Sequence, residues 1–112
     1  MPDTDKSQHI LDALYATVSA RKGADPETSY TAKLLAKGTP KIAQKVGEEG
    51  VETVIAALAE SPEKVASESA DLLYHLTVLW ADQGVKPEDV WRILAERQGI
   101  SGIAEKASRK ND

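Results

Sequence analysis

Five carboxylates in this chain fall at spacings that suit cation binding: Glu48, Glu49 and Glu52 within Lys45-Val-Gly-Glu-Glu-Gly-Val-Glu52, then Glu68 and Asp71 within Glu68-Ser-Ala-Asp71. Both stretches lie in segments that otherwise read as apolar helix, where residues three or four apart share a face. Carboxylate oxygens, no thiolate and one nearby imidazole are what a hard divalent cation such as Mg²⁺ or Mn²⁺ takes. A cation held there would polarise phosphoryl oxygens and acidify water, which is the chemistry of polyphosphate hydrolysis.

The acids are weighed against simpler readings on a helical wheel. At about 100° per residue, Lys41, Lys45, Glu48, Glu49 and Glu52 occupy roughly a third of the circumference, and nearly everything else from Ile42 to Leu58 is apolar or small. Most charge stripes are solvated faces of amphipathic helices. This one crowds like charges, which cost roughly 0.2–0.5 kcal/mol per i,i+4 pair. It also carries Gly47 and Gly50, each worth up to about 1 kcal/mol against Ala inside a helix. Both costs make sense if a cation sits among the acids and the glycines admit a ligand or another backbone.

The second acidic pair lies in Ala70-Asp71-Leu72-Leu73-Tyr74-His75-Leu76-Thr77-Val78-Leu79-Trp80-Ala81, apolar almost all round and therefore expected to be buried. Glu68, Asp71 and His75 share an arc there, with no basic partner apparent on the same helix. A buried ionised carboxylate without a partner costs several kcal/mol, so a lone one would call for a salt bridge from elsewhere. Four or five at helical spacing on neighbouring helices favour a metal. His75 reads first as a buried imidazole hydrogen-bonded to a neighbouring acid, with a ligand or base role as the sharper alternative; His9 reads as surface.

Helix signals organise the rest. Ser7 is placed to cap a helix to about Ala20, with Ile10, Leu11, Leu14, Tyr15 and Val18 on one face and Arg21-Lys22-Gly23 closing it. Ser29 can cap a short helix from Tyr30 to Lys37, ended by Gly38. Thr39-Pro40 and Ser61-Pro62 each pair a capping hydroxyl with Pro at the first helical position. They open helices to about Ala59 and to Gln83, where Gly84 stops the second. Lys86-Pro87-Glu88-Asp89 opens a last helix before Gly99, with acids at the positive end of its dipole. No segment alternates with the period of a strand, so the expected fold is all-α. It is a bundle of about five helices whose two long central members form an antiparallel hairpin.

Length and composition set limits. With 112 residues the chain reads as one domain, spanning 1–99, followed by a basic, partly disordered tail over 100–112. The formal net charge of −4 gives no basic field for nucleic acid, so an anionic substrate needs local Lys or a metal. Cysteine is absent, which excludes disulfides and thiolate sites. No apolar run approaches the roughly 20 residues of a membrane span, and Met1-Pro-Asp-Thr-Asp-Lys6 is unlike a signal peptide. A cytoplasmic protein without membrane or nucleic-acid partners is expected.

Glu48-Glu49-x-x-Glu52 with Glu68-x-x-Asp71 resembles the signature of the MazG-like all-α nucleoside triphosphate pyrophosphohydrolases. The likeness is closest to one branch, the phosphoribosyl-ATP pyrophosphatase family. It runs from Leu11 to about Arg97 through Ser29-Tyr30-Thr31-Ala-Lys33-Leu, Lys37-Gly38, Lys41-Ile42-x-x-Lys45-Val-Gly-Glu-Glu, Glu68-x-Ala-Asp-Leu-Leu-Tyr-His75 and Leu94-x-x-Arg97.

The resemblance implies Mg²⁺-dependent hydrolysis of phosphoribosyl-ATP to phosphoribosyl-AMP and pyrophosphate, in histidine biosynthesis, by a homodimer. Carried over by position, it makes Glu49, Glu52, Glu68 and Asp71 metal ligands. Glu48 becomes a further ligand or the group that orients or deprotonates water, and Lys33, Lys41 and Lys45 bind substrate phosphate. Two other readings are kept: a housecleaning hydrolase of other nucleoside triphosphates, and a noncatalytic helical dimerisation module whose acids form ion pairs.

Overall fold

The computed structural model describes residues 6–98. The expectations for the first residues, for the tail after Gly99 and for the His9 side chain lie outside what it describes. Five helices follow in order: α1 Lys6–Ala20, α2 Tyr30–Lys37, α3 Thr39–Ala59, α4 Pro62–Gln83 and α5 Pro87–Gln98. No strand occurs among the described residues, and the fold is an all-α bundle.

The boundaries follow local chemistry. Ser29 and Ser61 hold extended backbone, and their Oγ atoms accept from the N–H groups of Ala32 (3.1 Å) and Lys64 (3.2 Å). Each such cap contributes about 1 kcal/mol. Before α5 the reciprocal contact is made, the Lys86 N–H donating to Asp89 Oδ2 at 2.9 Å. Gly84 ends α4 at φ +73° in the left-handed region that glycine adopts without strain.

Two expected caps differ. α1 is described from Lys6 onward, so Ser7 lies within the helix and not at a cap position. α3 takes Thr39 as its first helical residue, and the cap position is Gly38 at φ +92°, without a side-chain bond. The Thr39 hydroxyl donates instead to Asp82 Oδ2 at 2.6 Å. A carboxylate acceptor makes the stronger hydrogen bond, and it outcompetes the local backbone.

That bond ties the start of α3 to the end of α4, which fixes the two as an antiparallel hairpin turning at Glu60-Ser61. The hairpin is the main packing interface; α1 lies against α4, and α2 spans both long helices. Val18, Leu34, Ile42, Val78 and Ala81 form the core, with Leu14, Tyr15, Leu35, Tyr74 and Leu79 packed around it. The core therefore covers the end of the hairpin where α3 begins and α4 finishes. α5 adds an edge-on contact between Trp91 and Trp80, ring centroids 6.1 Å apart.

The other half of the hairpin is bare. Val51, Val54, Ile55 and Leu58 are exposed, Leu58 by 83%. The expectation that α4 is buried on every side is corrected in the same way. His75, Thr77, Val78 and Ala81 are buried, but Ala70, Asp71 and Leu73 face outward. One chain of this size has too few helices to enclose two long ones along their whole length.

Candidate metal centre and a lysine-lined hollow

α3 and α4 cross so that one acid of the first meets two of the second. Glu49, Glu68 and Asp71 each offer a carboxylate oxygen, all within 4.8 Å of one another. Glu68 and Asp71 stand at i,i+3, so they reach sideways from one face of α4. Glu49 is the buried member at 7% exposure, the Glu68 side chain is 14% exposed, and Asp71 is open to solvent. The buried Asp71 expected from the apolar surroundings of α4 is thus corrected. The deepest acid comes from α3, and Asp71 sits at the mouth.

The charges in this group are only partly compensated. Lys45 Nζ lies 4.0 Å from Glu49, and Lys64 Nζ lies 3.8 Å from Glu68 Oε2. Lys64, one turn before Glu68, is the basic partner on α4 that the sequence reading did not find. It is half exposed, and an exposed pair of this kind is worth little. Glu68 Oε1 is buried without a hydrogen-bond partner among the described residues. Burial, then the neighbouring Glu52 carboxylate, and also Asp71, push the Glu68 carboxyl above the usual carboxylate range against the pull of Lys64. Like charges held this close repel one another. An orphaned oxygen in a three-carboxylate group fits a hard divalent cation, which accepts carboxylate oxygens and repays the repulsion.

The other acids take different places. Glu52 is exposed and stands beside Glu68 without joining the three-carboxylate group. Glu48 turns to the outer side of α3, where Gln44 Nε2 donates to it at 2.7 Å and Lys45 Nζ lies 3.3 Å away. These two contacts, Gln44 first, hold its carboxyl below the usual range. The Glu48 hydrogen bond raises the Lys45 ammonium pKa in turn, so Lys45 is charged near neutral pH.

His75 is buried as expected, but its partner is not an acid side chain. Its Nδ1 meets the Asp71 backbone carbonyl at 2.8 Å. A carbonyl only accepts, so Nδ1 carries the proton, and the Tyr30 hydroxyl donates to Nε2 at 3.3 Å. The local helix geometry supplies a backbone acceptor one turn back, while the Asp71 carboxylate points to the acidic group. His75 thus links α4 to the start of α2.

Lys33, Lys41 and Lys45 line one hollow of about 240 Å³ together with Tyr30, Leu34 and Lys37. Lys37 was not singled out beforehand. A signal existed, because Lys33, Lys37, Lys41 and Lys45 recur every fourth residue. It was hidden by Gly38, which breaks the helix and with it any wheel drawn through all four. The close approach expected at Gly47 and Gly50 does not occur among the described residues, where a Cβ at either meets nothing within 4 Å.

A raised carboxyl pKa in the folded state adds stability that is complete below the unfolded value and lost as pH rises through the folded one. Without divalent cation, the Tm advantage of wild type over Glu68→Gln should therefore shrink or reverse as pH rises from the ordinary carboxylate range toward neutrality. Adding Mg²⁺ near pH 7 should raise the wild-type Tm and not that of the variant. Equal pH slopes by differential scanning fluorimetry would contradict this account of Glu68.

The chain is also similar to known proteins over nearly its whole length. The family model described as phosphoribosyl-ATP pyrophosphohydrolase matches residues 11–98. A phosphoribosyl-ATP pyrophosphatase of Azospirillum brasilense is 66% identical, the match covering 99% of this chain and 100% of the relative. Those of Rhodospirillum rubrum, at 63% (90% and 86% covered), and Paramagnetospirillum magneticum, at 62% (89% and 92%), follow the same pattern. With a five-helix fold, acids converging from α3 and α4 and these matches, the chain belongs to the phosphoribosyl-ATP pyrophosphohydrolase family.

Proposed function

We propose that this protein hydrolyses phosphoribosyl-ATP to phosphoribosyl-AMP and pyrophosphate, with a divalent cation, Mg²⁺ or Mn²⁺, held by Glu49, Glu68 and Asp71. The observation that carries the reading is the convergence of those three carboxylates around the partnerless Glu68 Oε1, in a chain whose relatives bear the name phosphoribosyl-ATP pyrophosphatase. Glu52, beside Glu68, completes the ligand set. When bound, the cation neutralises the triphosphate and lowers the pKa of water.

Each residue has a task around that centre. Lys45, charged and set between Glu48 and Glu49, contacts phosphate as a mobile point charge, and Lys41 and Lys33 extend the contact along the same side. Glu48 orients water and steadies Lys45; its lowered pKa makes the carboxylate a weak base and a poor acceptor of the water proton. In the reaction the water oxygen bonds to phosphorus of the α–β anhydride, the bridging P–O bond breaks with its electron pair on the departing oxygen, and a proton passes to solvent. No covalent nucleophile is needed.

A homodimer fits the bare half of the hairpin. Val51, Val54, Ile55 and Leu58 follow the i, i+3, i+4, i+7 spacing of one apolar helix face, and all four are exposed. Gly47, on the same side and open, leaves a second helix room to approach closely. A second copy of the chain covers this face.

Pyrophosphate release from phosphoribosyl-ATP should require Mg²⁺ and cease with chelator. Glu49→Gln and Asp71→Asn should lower kcat by more than roughly 100-fold, the upper end of losses for outer-shell partners of a metal. Wild-type turnover in folded variants would refute the ligand assignment, and equal turnover of ATP would refute the substrate. By light scattering the wild type should run as a dimer and Val54→Glu as a monomer; a monomeric wild type would remove the dimer.

A further inference from the structure

The hollow between α2 and the first turns of α3 differs from its surroundings in charge. Four of its six lining residues are lysines and none is acidic, in a chain of formal net charge −4. The larger hollow on the other side of α3, lined by Gln44, Gly47, Glu48, Val51 and Glu52, carries acids instead. Lys33, Lys37 and Lys41 make no ion pair with a carboxylate among the described residues, whereas Lys45 pairs with both Glu48 and Glu49. Gathering unpaired ammonium groups round one hollow is unfavourable by their mutual repulsion. An anion removes that cost.

Size and position narrow the anion. About 240 Å³ is less than the roughly 300–1,000 Å³ of pockets that enclose a whole drug-sized ligand. The hollow therefore takes a fragment of the nucleotide. Lys45 belongs to its wall and also lies 4.0 Å from Glu49. A group in the hollow is thus next to the carboxylates that the proposed reaction places at the scissile phosphorus. The neighbouring β and γ phosphates meet that condition. The ribose monophosphate is separated from the triphosphate by a purine and two sugars. Charge agrees, since a phosphate monoester carries about −1.5 to −2 near neutral pH, and pyrophosphate carries more.

We propose that this hollow is the subsite for the leaving pyrophosphate, and that Lys37 is a member of it alongside Lys33, Lys41 and Lys45. The inference rests on the proposed reaction for the word leaving, and on the hollow's own lining for anion binding. Tyr30 forms a wall and not a donor, because its hydroxyl proton is directed to His75 Nε2. Lys37 lines the hollow from the last residue of α2, and being exposed it can be truncated without opening the core.

The test is calorimetric titration of the full-length protein with pyrophosphate in the presence of chelator, repeated for Lys37→Ala and Lys37→Arg and then with phosphoribosyl-AMP. Loss of one charge-assisted contact predicts that Lys37→Ala binds pyrophosphate about tenfold more weakly, that Lys37→Arg restores most of the affinity, and that phosphoribosyl-AMP binding is the same in all three. In turnover with Mg²⁺, product inhibition by pyrophosphate should weaken in parallel for Lys37→Ala. Absence of pyrophosphate binding to wild type, unchanged affinity in Lys37→Ala, or a loss that falls on phosphoribosyl-AMP would each overturn the subsite. A wild type that turns over phosphoribosyl-ATP while Lys37→Ala binds pyrophosphate normally overturns the subsite alone. A wild type that binds pyrophosphate through Lys37 but hydrolyses nothing supports the anion site and sinks the reaction instead.

Discussion

The mutual repulsion of Glu49, Glu68 and Asp71 is the constraint on which the rest of the structure turns. Three carboxylates within 4.8 Å, one of them buried and one with an oxygen that meets no donor, are not a stable arrangement by themselves. Two lysines at the rim reduce the repulsion without removing it. The helices hold the acids together because the packing energy is spent elsewhere, in the apolar cluster of Val18, Leu34, Ile42, Val78 and Ala81. Stability at one end of the hairpin thus supports an electrostatic deficit near its middle, in a group of carboxylates that could hold a cation.

The same division of labour explains the smaller helices. α2 gives the core Ala32, Leu34 and the flanking Leu35, and it brings Lys33 and Lys37 to the flank of α3 and Tyr30 to His75. The bond from His75 to the Asp71 carbonyl and the bond from Tyr30 to His75 place the basic hollow and the acidic group on one connected frame. Thr39 and Asp82 close the other end of that frame. The arrangement lets positive and negative groups lie side by side with only Lys45 spanning the boundary.

Much of this was legible in the sequence, for identifiable reasons. Ser29, Ser61, Pro62, Gly38 and Gly84 mark helix ends because their conformational preferences are local, and α2 and α4 keep both of their expected limits. The acids were found because i,i+3 and i,i+4 spacings survive any packing of the helix. What packing decides was not legible. A wheel shows that Glu48, Glu49 and Glu52 share an arc but not which edge of the arc meets α4, so Glu49 emerged as the buried acid only from the fold. Asp71 looked buried because its neighbours are apolar, yet the chain leaves that side of α4 open. Thr39 looked like a cap because no wheel can show that Asp82 stands across from it. Lys37 escaped because its pattern crosses a helix break.

The measurement closest to the central claim is anomalous diffraction from crystals of the protein soaked with Mn²⁺. The account predicts a manganese peak between α3 and α4, within coordinating distance of carboxylate oxygens from Glu49, Glu68 and Asp71 together. A peak bound elsewhere, or crystals that take up no manganese at concentrations supporting hydrolysis, would contradict it.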